Sequence, residues 1–272
     1  MVATRFVVDQ TGPASLALLR YAIGVLCLLP IALATPRPRF AGRDLLPIAL
    51  LGIAQFGILI ALLNFGLRFI PAARGAVIFA TLPLLTMLLA AALGHERLGP
   101  SKVAGVLLTI AGVALALGEK ALHRPGGAQE WLGEAAVLAS ALSGAVCSVL
   151  YRPYVRRYPT VPVSALAMLA SVAFLAALAA GEGFFAGWPS FTRAGWMAVV
   201  FIGISSGVGY FLWLWALGNA PATEVTVFLS LSPFTAAVLG ALLLAEHVTP
   251  PIGVGLGCVG LGLWLAHRGG AR

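Results

Sequence analysis

Nine predominantly apolar stretches of about twenty residues, separated by short polar or proline-containing breaks, leave this chain few folds to choose from. As helix, about twenty residues cover the ~30 Å hydrocarbon core of a bilayer. The stretches 13–34, 45–67, 73–93, 101–118, 131–151, 161–180, 194–217, 222–244 and 250–267 are therefore read as membrane-spanning helices. Several open at proline (Pro13, Pro100, Pro162, Pro221, Pro250), which suits a first helical position because its missing N–H has no partner there anyway. Composition agrees: 60% of residues are apolar, 10% are charged and mean hydropathy is +1.00, far from the roughly quarter-charged soluble average. The length of 272 residues thus counts spans, not globular cores.

In a soluble protein a net charge of +8 would suggest a nucleic-acid partner. Here no basic run exceeds Arg156-Arg157 and the cations sit between apolar blocks, so none is expected. One set of loops and the C-terminus hold ten cations (Arg37, Arg39, Arg43, Arg97, Lys102, Arg152, Arg156, Arg157, Arg268, Arg272), against six on the other side (Arg5, Arg68, Arg74, Lys120, Arg124, Arg193). By the positive-inside rule the C-terminus is expected in the cytoplasm, and the multi-pass chain is expected in the cell inner membrane. Cys27, Cys147 and Cys258 lie inside apolar blocks without close spacing, and read as small core residues, neither disulfides nor metal ligands.

An internal repeat is visible. Laid on 211–268 at a constant offset of 150, residues 61–118 match at 15 of 58 positions, pairing Pro71 with Pro221, Pro83 with Pro233, Glu96 with Glu246, Pro100 with Pro250, Gly105 with Gly255 and Gly112 with Gly262. Pro13 falls beside Pro162, and Met1 beside the last turn of the helix at 131–151. The expected plan is all-α: a first repeat over 1–119, a linker at 120–130 and a second repeat over 131–268. Each repeat would hold five helices, an odd number, so the two are expected to be inverted across the membrane, as in secondary transporters. Residues 1–8 then read as the end of a truncated first helix, the alternative being a nine-helix protein with a short N-terminal segment.

The stretch LRYAIGVLCLLP (19–30) and the paired endings HERLGPSKVAGVLLTIAGV (95–113) and AEHVTPPIGVGLGCVGLGL (245–263) make the chain resemble the EamA-type carriers of the drug/metabolite transporter superfamily. The group that the resemblance suggests is the aromatic amino acid exporters. It implies a carrier of small metabolites working without a cofactor.

Candidate site residues follow from depth. Pro83 and Pro233 lie at the centres of their helices, and each frees the carbonyl four residues earlier, at Phe79 and Leu229. Unpaired backbone at this depth must face protein or a water-filled cavity. Gln55 and its register partner Ser205 lie near mid-helix, and Ser206, Ser140, Ser143, Thr81, Ser230 and Ser232 are close to the same depth. A membrane Ser or Thr commonly bonds a carbonyl of its own helix, whereas an amide such as Gln55 is too polar to face lipid cheaply. Arg20 is seven residues into its helix, about 10 Å deep. It reads either as a structural or snorkelling cation, or as a gate or a partner for a carboxylate on the cargo. Tyr210, Phe79 and Phe228 could offer a stacking surface for an apolar or aromatic cargo. The Trp residues read as an interfacial belt, and Gly253, Gly255, Gly257, Gly260 and Gly262 as a face for close helix packing that includes a Gly253-to-Gly257 step.

All nine acidic residues fall in loops or within about a turn of a helix end, which favours an exchanger or facilitator over a proton-coupled pump. His95, His123, His247 and His267 lie at helix ends, so the mid-depth serines have no base to activate them and an enzyme is not expected. The expected function is an amino acid carrier, with the cargo near the midplane between repeats. A broad exporter of drugs or organic acids is the alternative.

Overall fold

In the computed structural model, the described residues are 2–34, 40–94, 99–123, 128–187, 191–220 and 250–268, with 225, 235, 238, 239 and 241–243. Helix α1 (Val2–Val7) runs into a 3-10 turn at Val8–Gln10 and is followed by α2 (Pro13–Ala34). Then come α3 (Gly42–Gly52), a π-helical turn (Ile53–Ile58), α4 (Leu59–Phe69), α5 (Ala72–Phe79) and α6 (Leu82–Ala92). The rest of the order is α7 (Pro100–His123), α8 (Ala128–Leu150), α9 (Arg152–Arg157), α10 (Thr160–Gly181), α11 (Arg193–Asn219) and α12 (Pro250–Arg268). The chain is all-helical: no strand occurs among the described residues. Six helical segments there are long and apolar enough to cross a membrane. Helices α7 and α12 carry shorter apolar stretches, Val103–Gly112 and Gly253–Gly262. The helix expected over 222–244, with Phe228, Ser230, Ser232 and Pro233, lies outside the described residues apart from a few positions.

Two compact units emerge, and neither is a sequence half. The first joins Met1–Val2, Gly66–Val149 and Ala222–Arg272; the second joins Ala3–Phe65 and Leu150–Pro221.

In the first unit α7 packs along α12. A Cβ on Gly112 would come 2.7 Å from the Gly255 carbonyl oxygen, and one on Gly262 would come 2.6 Å from that of Gly105. Small residues at these positions allow the backbones to touch, which is how helices associate in lipid without a hydrophobic drive. The expected Gly253-to-Gly257 step is not the one used: both residues have open space around them, because the face that meets α7 carries Gly255 and Gly262. Pro83 breaks its helix as expected. Helix α5 ends at Phe79 and α6 begins at Leu82, with Thr81 N–H bonded to the Ile78 carbonyl across the break.

The second unit is built on α2 and α10. They run antiparallel: Glu182, one residue past the end of α10, accepts from Ala14 N at 3.0 Å, from Ser15 N at 2.8 Å and from the Ser15 hydroxyl at 2.7 Å. A carboxylate there satisfies free N–H groups at the start of α2 and meets its helix dipole favourably. Gly183 makes this possible, since its φ of 79° lets α10 stop and turn at that point. Helix α11 follows α2 in parallel, Leu16 packing near Val199 and Ile202 and Gly24 against Gly207. The stretch from α3 to the π turn follows α10 in the same sense, Gly52 against Ala167 and Gly57 against Ser171 and Phe174. Corresponding loops also tie down corresponding helix starts. Ala41 N donates to the Tyr158 hydroxyl at 3.1 Å before α3, and Thr192 N donates to Gln10 Oε1 at 3.2 Å before α11. Asp44 completes the first of these ties by accepting from Tyr158 at 2.6 Å and pairing with Arg157 at 3.1 Å.

Candidate functional site

The crossing of α2 and α11 sets the geometry of the second unit's polar cluster. A Cβ on Gly207 would lie 2.9 Å from the Gly24 carbonyl oxygen and 3.0 Å from its Cα, so these helices meet backbone to backbone. That approach brings Arg20 and Tyr21, a turn before Gly24, within hydrogen-bonding distance of Ser206 and Tyr210 on either side of Gly207. Arg20 Nε donates to Ser206 Oγ at 2.5 Å, and Ser206 in turn donates to the Ile202 carbonyl at 2.6 Å. Tyr21 Oη donates to Tyr210 Oη at 2.9 Å. The rings of Tyr21, Phe56 and Tyr210 form a mutual trio with centroid separations of 5.4, 4.6 and 5.6 Å. The Arg20 guanidinium carbon lies 5.7 Å from the Tyr21 ring centre, within cation–π range. Tyr21 and Phe56 are fully buried, whereas Arg20 and Tyr210 are half-buried.

Phe56 and Gln55 stand on the π-helical turn. Such turns widen a helix locally and are frequent at functional sites. Here the widened ladder is closed by Leu59 N–H bonding the Ala54 carbonyl. Gln55 is 5% exposed, and its Oε1 has no hydrogen-bond partner. A buried amide oxygen left so costs of order 1–3 kcal/mol. Asn64, two turns on and fully buried, donates from Nδ2 to the Pro13 carbonyl at 2.9 Å, while its Oδ1 also has no hydrogen-bond partner.

The residues expected at the site divide between the units. Arg20, Gln55, Ser205, Ser206 and Tyr210 belong to the second. Ser205 is exposed and bonds the carbonyl of Ile202 on its own helix at 3.1 Å, the common fate of a membrane serine. Phe79, Thr81, Pro83, Ser140 and Ser143 belong to the first. Thr81 donates to the Ile78 carbonyl at 2.7 Å, Ser143 shares a hydrogen bond with the Cys147 thiol, and the buried Ser140 hydroxyl has no partner. Sequence reasoning missed Tyr21, Phe56 and Asn64. For Tyr21 the signal was its place beside Arg20, and for Asn64 it was an amide within an apolar block. Nothing local marked Phe56.

One acidic residue sits deeper than expected. Helix α8 begins at Ala128, so Glu134 is six residues in, about 9 Å along the axis. It is buried, 3.6 Å from Arg74, which also pairs with Glu130 at 3.3 Å. No group of three metal-ligating side chains occurs among the described residues.

Comparison with known proteins agrees with a membrane carrier. The sequence matches the EamA-like transporter family over residues 1–118 and 131–268. A probable terminal-alkyne amino-acid exporter of Streptantibioticus cattleyicolor is 30% identical over 98% of this chain and 88% of its own length. An aromatic amino acid exporter, YddG, of Ancylobacter novellus is 32% identical over 71% of this chain and 65% of its own length. A solved crystal structure shares the fold at a TM-score of 0.72 and 23% identity, covering 99% of this chain and 92% of that one. This chain is a member of the EamA-like transporter family.

Proposed function

We propose that the protein carries amino acids with apolar or aromatic side chains across the inner membrane by alternating access, as an exporter or uncoupled exchanger with a cytoplasmic C-terminus. The observation that carries this reading is the Arg20 guanidinium held at depth beside the Tyr21, Phe56 and Tyr210 rings. A cation next to an aromatic surface matches a molecule with a carboxylate at one end and an apolar body at the other. Two relatives named as amino acid exporters support it. Inverted repeats are the scaffold of the proposal. In its support, α2 and its register partner α10 run antiparallel, α11 follows α2, and the α3 segment follows α10. Uncoupled exchange is favoured because Glu134, the carboxylate furthest from a helix end among the described residues, already faces Arg74.

Uptake of labelled phenylalanine and leucine into proteoliposomes, with and without unlabelled amino acid inside, tests the reading. Uptake raised by internal amino acid is expected, and no uptake of either by folded protein rejects it. A carrier of organic acids is the second reading, favoured only by Arg20 itself, which would accept a carboxylate from any source.

A further inference from the structure

We propose that Arg20 is the anchor for a carboxylate on the cargo and that Ser206 is the residue that positions it. The inference rests on the carrier reading above and narrows the cargo to molecules bearing a carboxylate. A guanidinium has five N–H donors, and here one of them, on Nε, is given to Ser206. The Ser206 hydroxyl is directed by its own donation to the Ile202 carbonyl, which leaves its oxygen as the acceptor facing Arg20. Held through Nε, the guanidinium keeps its two terminal nitrogens as a fork for a bidentate anion. Among the described residues no carboxylate is paired with Arg20. A cation at this depth without a counter-ion is costly, and a cargo carboxylate would relieve that cost. The register partners of Arg20 and Ser206 are Leu169 and Phe56, so the repeat offers no second anchor at the corresponding place. A cargo held this way binds in one orientation, its carboxylate at Arg20 and its body toward the accessible Tyr210 ring.

The test is ligand-induced thermal stabilisation of the purified full chain, titrated with phenylalanine, 3-phenylpropionate (no amine) and phenethylamine (no carboxylate). Stabilisation by phenylalanine and phenylpropionate but not by phenethylamine, weakened roughly tenfold or more in Arg20→Gln, is expected. Stabilisation by phenylpropionate alone, with the same Arg20 dependence, rejects amino acids as cargo and leaves the anchor standing. The anchor is overturned if phenethylamine binds as well as the carboxylates, if Arg20→Gln binds them like the wild type, or if neither carboxylate stabilises the wild type. Two further variants guard against a folding defect. Ser206→Ala is expected to weaken both carboxylates about three- to tenfold with the ligand-free melting temperature preserved, and Arg20→Lys to recover part of the binding lost in Arg20→Gln. Wild-type affinity in Ser206→Ala would remove its positioning role.

Discussion

Gly24 and Gly207 meet with so little space that a Cβ on Gly207 would lie 3.0 Å from the Gly24 Cα. This contact fixes the spacing of α2 and α11, and with it the reach of Arg20 to Ser206 and of Tyr21 to Tyr210. Gly207→Ala is expected to push the helices apart and destabilise the protein by about 1–3 kcal/mol, the usual cost of overpacking. Gly209, on the same helix, has open space around it, so Gly209→Ala should leave the melting temperature unchanged or slightly raised. Thermal unfolding of the two variants side by side checks the contrast.

Glu182 holds the start of α2 from the far end of α10. Replacing it with Ala removes three hydrogen bonds at once and should lower stability by about 1–2 kcal/mol, the range for losing a helix cap. Ser15→Ala removes one of the three, so its melting temperature should fall by less. Cargo preference should not change in either variant, since neither residue belongs to the Arg20 cluster.

Within the candidate site, Gln55 and Ser205 should separate although they are register partners. Gln55 presents a buried amide oxygen with no hydrogen-bond partner, whereas Ser205 bonds its own helix and is exposed. Gln55→Leu is expected to slow exchange several-fold without reducing the amount of folded protein. Ser205→Ala should retain more than half of the wild-type rate. Exchange rates normalised to reconstituted protein decide between these outcomes.

The half-buried Arg74 pairs with the buried Glu134 at 3.6 Å in the first unit. Breaking such a pair from one side commonly costs about 3–5 kcal/mol, so Arg74→Met should clearly lower the melting temperature. Replacing both, as Arg74→Met with Glu134→Leu, should recover part of the loss. If exchange is uncoupled, Glu134→Gln remains as indifferent to a pH gradient as the wild type. A gradient response in the wild type that this variant abolishes would make Glu134 the coupling group.

Much of the fold was legible because lipid allows few solutions. Pro13, Pro100 and Pro250 open α2, α7 and α12 where the sequence placed them, and Pro83 breaks its helix as its missing N–H requires. What could not be read depends on contacts between distant parts of the chain. Glu182 and Ser15 are 167 residues apart, and nothing near either one announces the cap. The π turn, IAQFGI, carries no residue pattern that marks a π-helix, and its Gly57 lies against Ser171 and Phe174 of α10. Glu134 was placed within a turn of a helix end because the apolar stretch was read from residue 131, whereas α8 starts at Ala128 and takes in Gln129 and Glu130. Arg20 was visible as a cation at depth, but its choice of Ser206 depended on a glycine crossing that the sequence leaves unspecified.

The carboxylate anchor at Arg20 is tested by counterflow of labelled phenylalanine in proteoliposomes containing wild type or Arg20→Gln, at equal amounts of folded protein. Wild-type uptake should rise with internal unlabelled phenylalanine and should fall roughly tenfold or more in the variant if Arg20 is the anchor. Equal uptake by the two proteins would contradict it.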